Sequence, residues 1–200
     1  MAQTTYQAPL FFPARDAVSS QEYLLVINPD ANIATDIRYF KNKVWEIAGD
    51  HPGHYAQPHI SIYNFLGFQQ KEQAIINALS AVSKNVKAAF VHLENFSCFE
   101  GSGTIYLTPR PKNYFSFLLR ELYPTIFNCQ GINRQSKIYS STEPHIIIAR
   151  GLKKDQFADA WSHFKDKSYR SSFLAESIVL LRKELLKNDQ YDFVGEFRLK

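Results

Sequence analysis

The chain reads as an α+β protein with largely antiparallel strands, and three observations predict it. Short apolar runs of strand length alternate with segments of helical period, and several strand-like runs adjoin directly in sequence. No strand is followed by the glycine-rich loop that opens a doubly wound parallel fold. Adjoining strands joined by tight turns pair antiparallel, which gives one antiparallel sheet or a pair of them.

Each element has a local reason. Tyr23–Ile27 is a β-branched and apolar run closed by Asn28-Pro29-Asp30, a strand ending in a turn. Ile37, Phe40, Val44 and Ile47 recur at helical spacing until Gly49 stops them. HISIYNF (59–65) is a second strand, Ile75, Leu79, Val82 and Val86 mark a second helix, and 88–108 holds two strands around Glu100–Gly103. Tyr114, Phe117, Leu118 and Leu122 give a helix that should break near Pro124. HIIIAR (145–150) is a strand, and Phe157, Trp161 and Phe164 form a helix face. Phe173–Leu181 and Tyr191–Leu199 close the chain as strands, with Tyr191, Phe193, Phe197 and Leu199 on one side of the last. Residues 1–21, with Pro9 and Pro13 around Leu10-Phe11-Phe12, read as an N-terminal arm on a single 200-residue domain.

Composition narrows the function classes. The 200 residues are 45% hydrophobic and 21% charged, which describes a globular chain and not a disordered one. No apolar run reaches the roughly 18 residues of a membrane span, and the first twenty residues lack the basic and apolar regions of a signal peptide. Only Cys98 and Cys129 occur, without CxxC spacing, which suits a reduced, cytoplasmic setting and argues against a cysteine-built zinc site. The formal charge of +4 is too small for a dedicated nucleic-acid surface. One richer stretch, Arg110, Lys112, Arg120, Arg134 and Lys137 against Glu121, reads either as a solvated face or as a groove for a phosphate backbone.

The strongest signal is internal. Pro58-His59-Ile60-Ser61-Ile62 and Pro144-His145-Ile146-Ile147-Ile148 agree at four of five positions. The tripeptide Pro-His-Ile is expected roughly 0.02 times from this composition, so two copies mark a duplicated unit. Each copy opens a strand and is followed by a loop and a helix, which places one histidine on the matching strand of each half. Two imidazoles can divide the work of phosphodiester chemistry, one taking a proton from the attacking oxygen and the other giving one to the leaving oxygen. No metal or other cofactor is required. Strict alternation sets Ser61, Tyr63 and Phe65 on the face of His59, and Ile147 and Ala149 on that of His145.

These residues resemble the two His-x-Thr/Ser motifs of the 2H phosphoesterase superfamily, in particular its bacterial 2′-5′ RNA ligase and 2′,3′-cyclic phosphodiesterase branch. The likeness extends through YLLVINP, Phe65-Leu66-Gly67 and His145…Ala149-Arg150, and covers residues 20–200. It implies a bilobal duplicated fold, two mainly antiparallel sheets facing a central cleft with helices packed outside. It also implies His59 and His145 as the acid/base pair and Ser61 as a donor to the phosphate. The carry-over stops at Ile147, where the family pattern asks for a hydroxyl; Ser140, Ser141 or Thr142 are the nearby substitutes.

Around these residues the candidates are graded by position. Arg150 matches the family arginine, yet alternation puts it on the face opposite His145 unless the strand bulges. Tyr63 and Phe65, and Tyr106 in IYLTP, are candidates for stacking on a base, with core packing as the alternative. His51, His54 and His59 invite a metal reading, which the absence of a completing ligand set other than Asp50 weakens. The chain is thus expected to be a monomeric, metal-independent phosphoesterase acting on RNA or nucleotides carrying a cyclic or 2′-linked phosphate. The alternative is a binding protein for a nucleotide or RNA end that keeps the cleft without turnover.

Overall fold

The computed structural model describes residues 20–129, 138–185 and 190–200. Residues 1–19 of the expected N-terminal arm, Arg134 and Lys137 therefore lie outside the described residues, while Ser20 and Gln21 belong to the first strand. The elements in order are β1 (Ser20–Ile27), α1 (Ala31–Ala48), β2 (Ile60–Phe68), α2 (Glu72–Ser83), β3 (Ala89–Phe99), β4 (Thr104–Arg110) and α3 (Lys112–Cys129). They continue with β5 (Tyr139–Ser140), β6 (Ile146–Ala149), α4 (Lys154–Phe164), β7 (Arg170–Ala175), β8 (Ser177–Glu184) and β9 (Asp192–Arg198).

All strand pairs are antiparallel, in the order β7-β3-β4-β6-β2-β1-β8-β9, with β5 also on β2. The two halves, β9-β8-β1-β2 and β7-β3-β4-β6, are thus one curled sheet, joined where Ile60 pairs with Ile146. Both isoleucines are fully buried, and each stabilises the junction by roughly 1.5–3 kcal/mol through the apolar area it hides. The curl is sealed at its far end. Lys200 donates its N–H to Val86 O, Ala88 donates to Lys200 O, both at 2.8 Å, and Leu199 donates to Glu176 O at 2.7 Å.

Helices cover one face of this sheet. α1 starts at Asp30, whose carboxylate accepts from Ile33 N–H at 2.9 Å, and stops at Gly49, where φ is 78°. It packs against β6 and α4, and Gln156 of α4 donates to Ala48 O at 2.6 Å to fasten the two. α2 and α3 pack together, over β9 and β2 respectively. The turn between β3 and β4 is docked by Gly103, which has φ 56° and would drive any Cβ into the Leu152 carbonyl; no side chain fits there.

Two expectations are corrected. α3 runs through Pro124 to Cys129, because Leu118, Leu122 and Ile126 form one fully buried stripe across the proline. That packing outweighs the loss of one backbone donor. The last strand does not keep its aromatics on one side: a bulge opposite Leu180 and Leu181 leaves Phe193 66% exposed and Phe197 6% exposed.

Candidate active site

The duplicated motifs meet at the centre of the sheet. With Ile60 opposite Ile146 in antiparallel register, one further residue in each direction sets Ser61 across from His145 and Ile147 across from His59. Burial alternates accordingly: Pro58, Ile60 and Ile62 are buried, as are Pro144, Ile146 and Ile148, while His59, Ser61, His145 and Ile147 are half-buried. These four side chains share the face of the sheet away from the helices, in a two-fold arrangement.

Both imidazoles are held the same way. His59 Nδ1 lies 2.8 Å from Gln57 O and His145 Nδ1 lies 2.7 Å from Glu143 O, in each case the carbonyl two residues upstream. A carbonyl only accepts, so Nδ1 carries the hydrogen in both rings and Nε2 is left to accept or, when protonated, to give a proton. Burial pushes His59 below the ordinary imidazole range; Gln57 O opposes this, and the charges of Lys41, Arg150 and His145 add to it. Burial likewise lowers His145, against its bond to Glu143 O and the Glu143 carboxylate.

A pair of matching bulges decides which neighbours join them. Against β1, Leu25 pairs with Tyr63 and Val26 with Ser61, so Ile62 is an extra residue. Against β4, Tyr106 pairs with Ile147 and Ile105 with Ala149, so Ile148 is an extra residue. Both extras stand three residues after the motif histidine, and both reverse the alternation beyond them. Tyr63 and Phe65 consequently leave the His59 face. Tyr63 is 3% exposed with its hydroxyl donating to Leu119 O at 2.7 Å, and Phe65 is fully buried, so of the two roles left open for them, base stacking and core packing, the structure favours core packing. Arg150 gains by the same shift. It emerges beyond β6, and its Nε donates to Pro52 O at 3.3 Å, in the loop that leads to His59. Its counterpart in the first half is Asn64.

Lys41 belongs to the site and has no place in the sequence reading. It is 2% exposed, and its Nζ donates to Gly53 O at 2.6 Å and Ala56 O at 2.9 Å. Burial, with Arg150 nearby, pulls its pKa down to about 8. A buried cation with two carbonyl partners is costly to keep; here it ties down the 51–57 loop that ends in the Gln57 carbonyl. The signal was its position, since Ile37, Lys41 and Val44 lie on one helix stripe. Lys41→Met should lower kcat/KM for a phosphodiester substrate about tenfold through loss of this positioning. It should also move the His59 limb of the pH profile upward, because a cation that disfavours imidazolium is gone. An unchanged rate and an unchanged limb would contradict this.

The β4 side supplies aromatic support. Tyr106, 6% exposed, stacks on Phe99 at 4.4 Å, and both rings lie against His145 at 5.5 and 5.4 Å. Tyr106 therefore packs the histidine ring and leaves little surface for a base, and Phe99 joins it unforeseen. Of the hydroxyls considered in place of the one missing at Ile147, Ser141 Oγ is engaged, donating to Glu143 O at 3.0 Å, while Ser140 and Thr142 are exposed. The described cations of the basic stretch each face a carboxylate, Arg110 to Glu94, Lys112 to Glu143 and Arg120 to Glu121, which favours the solvated-face reading. Among the described residues no group of three or more His, Cys, Asp or Glu could hold a metal ion. None of the described helices is long and apolar enough to cross a membrane.

A curled antiparallel sheet carrying two His-led motif strands back to back, with helices on its other face, defines a duplicated two-histidine fold. The chain belongs to the 2′-5′ RNA ligase superfamily, whose profile matches residues 29–185. Solved structures share the architecture. E. coli LigT, crystallised with 3′-AMP, is 13% identical with a TM-score of 0.62, over 90% of this chain and 98% of that one. The same protein crystallised with NADP+ gives 15% identity and 0.62 over the same shares. A protein of Thermus thermophilus gives 13% identity and 0.62, over 89% and 97%. No curated protein matches the sequence.

Proposed function

We propose that the chain is a metal-independent phosphoesterase that hydrolyses, or in reverse forms, 2′,3′-cyclic phosphate or 2′-5′ phosphodiester bonds in RNA or nucleotides. The observation that carries this reading is the matched pair of Nδ1 locks, which leaves two equivalent Nε2 atoms on one face of the sheet. One neutral imidazole takes a proton from water as its oxygen bonds to phosphorus. The other, protonated, gives its proton to the ribose oxygen as the P–O bond breaks, so a cyclic diester and water become a monoester. Ser61 donates to a non-bridging oxygen, and Arg150 supplies positive charge beside His59. Nucleotides bound to LigT crystals support a nucleotide ligand.

The pH dependence follows from burial. The competent state holds one proton on the pair, and both rings are shifted to release protons below the ordinary value near 6.5. The kcat/KM profile for a 2′,3′-cyclic nucleotide should therefore be bell-shaped with its maximum below pH 6.5. The kcat profile should lie higher, since bound phosphate anion favours imidazolium. Rates measured in excess chelator across this range test both statements, and a maximum above pH 7 in kcat/KM would contradict them. The second reading, a binder of nucleotide or RNA ends without turnover, is favoured by one observation, the apolar Ile147 where a donor would stand.

A further inference from the structure

We propose that the cavity between α1 and the 51–57 loop is a binding site for a small oxyanion such as inorganic phosphate, separate from the histidine pair and coupled to it through the loop backbone. The cavity holds about 210 Å³ and is lined by Arg38, Asn42, His54, Tyr55, Ala56 and Gln57. α1 lies on the helix-covered face of the sheet, and none of the four motif side chains on the opposite face lines the cavity. Its volume is room for roughly seven water molecules, below the roughly 300 Å³ at which pockets begin to take drug-sized ligands. A tetrahedral oxyanion with a few waters fits, and a nucleotide does not.

The composition of the lining selects the ligand. Arg38 and Asn42 stand one turn apart on the outer side of α1, next to the stripe that carries Lys41. With the imidazole of His54, the hydroxyl of Tyr55 and the amide of Gln57 they bring together five side chains able to donate hydrogen bonds, and no carboxylate lines the cavity. Two acids of α1 are engaged elsewhere: Asp36 accepts from the Tyr169 hydroxyl at 2.8 Å, and Glu46 pairs with Lys43 at 2.6 Å. Arg38 gives one N–H to Thr35 Oγ1 at 2.9 Å and has no acidic partner among the described residues, which leaves the rest of its fork for an oxyanion. Lys41, behind the loop, is held by carbonyl oxygens alone, so its charge adds to the same field. A larger cavity, about 520 Å³ between Asn28–Asp30 and the end of β9, shows the contrast: there Asp30, Glu176 and Glu196 outnumber Arg198, and an anion is repelled.

Occupancy reaches the catalytic pair through two carbonyls. Ala56 O accepts from Lys41 Nζ at 2.9 Å, and Gln57 O meets His59 Nδ1 at 2.8 Å. The loop's own backbone bonds are long, His54 N–H to His51 O at 3.2 Å and Ala56 N–H to Gly53 O at 3.3 Å. An anion bridging Arg38 and Asn42 of α1 to His54 and Gln57 of the loop fixes the loop against the helix, and with it the carbonyl that orients His59.

Amide NMR spectra titrated with inorganic phosphate test this. In wild type the side-chain amides of Asn42 and Gln57 should shift saturably, on a binding curve different from that of the Ser61 and Ile147 backbone amides. Arg38→Gln, at an exposed position of α1, should weaken the first curve at least about tenfold and leave the second unchanged. Phosphate should also slow hydrogen exchange at the His54 and Ala56 N–H groups in wild type and not in the variant. No saturable shift at Asn42 and Gln57 in wild type, a curve identical to that of Ser61, or an unaltered curve in Arg38→Gln would each overturn the site. Neither readout requires turnover, so failure of the phosphoesterase reading would be seen separately, as a lack of cyclic-nucleotide hydrolysis.

Discussion

On the proposed mechanism, alanine at His145 should lower turnover of a 2′,3′-cyclic nucleotide by about a hundredfold to ten-thousandfold, and alanine at His59 should do so equally. The equality is the informative part. Each ring has the same Nδ1 tether, the same half-buried position and the same place relative to a buried isoleucine. Neither half of the proton transfer proceeds without the other, so the double variant should be little slower than either single one. Asparagine at either position, which keeps a polar side chain without a titrating nitrogen, should be as inactive as alanine. Full activity in one single variant would reduce that histidine to a packing role and sink the paired mechanism.

The second large effect has the opposite sign. Ile147→Thr should raise kcat about tenfold or more. Ile147 faces His59 across the junction as Ser61 faces His145, so a hydroxyl there completes the two-fold set of donors around a phosphate. A hydrogen bond to a charged oxygen contributes roughly 1.5–3 kcal/mol, which is one to two decades in rate if it is made in the transition state. The fold should tolerate the change, because Ile147 is half-buried and β-branched threonine suits a strand. Turnover visible only in the threonine variant would establish the non-catalytic reading for the natural sequence. A slower threonine variant would mean that the apolar side chain is itself part of substrate recognition.

What the sequence made legible was what depends on periodicity and repetition. The antiparallel α+β architecture, most elements and the duplicated histidines all follow from spacing alone. Ser61 and Ile147 were placed correctly because they precede the bulges. Tyr63 and Phe65 were misplaced because Ile62 adds one residue to β2, and nothing in HISIYNF distinguishes a bulged strand from a regular one. The same insertion at Ile148 turned Arg150 from the doubtful face to the useful one. Lys41 and Phe99 depend on tertiary contacts: the lysine meets Gly53 and Ala56 only after α1 docks, and the phenylalanine reaches His145 only through β4. A lysine on an apolar helix stripe was nevertheless a readable warning. Pro124 illustrates the reverse, a local breaking signal overridden by the buried stripe around it.

Two tethered histidines are proposed to carry out phosphodiester hydrolysis without a metal. Phosphorus NMR of adenosine 2′,3′-cyclic phosphate in excess EDTA, with wild type and with His59→Ala, tests it most directly. With wild type the cyclic-phosphate resonance should give way to a monoester resonance, and with the variant it should persist. Persistence with both, or equal conversion by both, would contradict it.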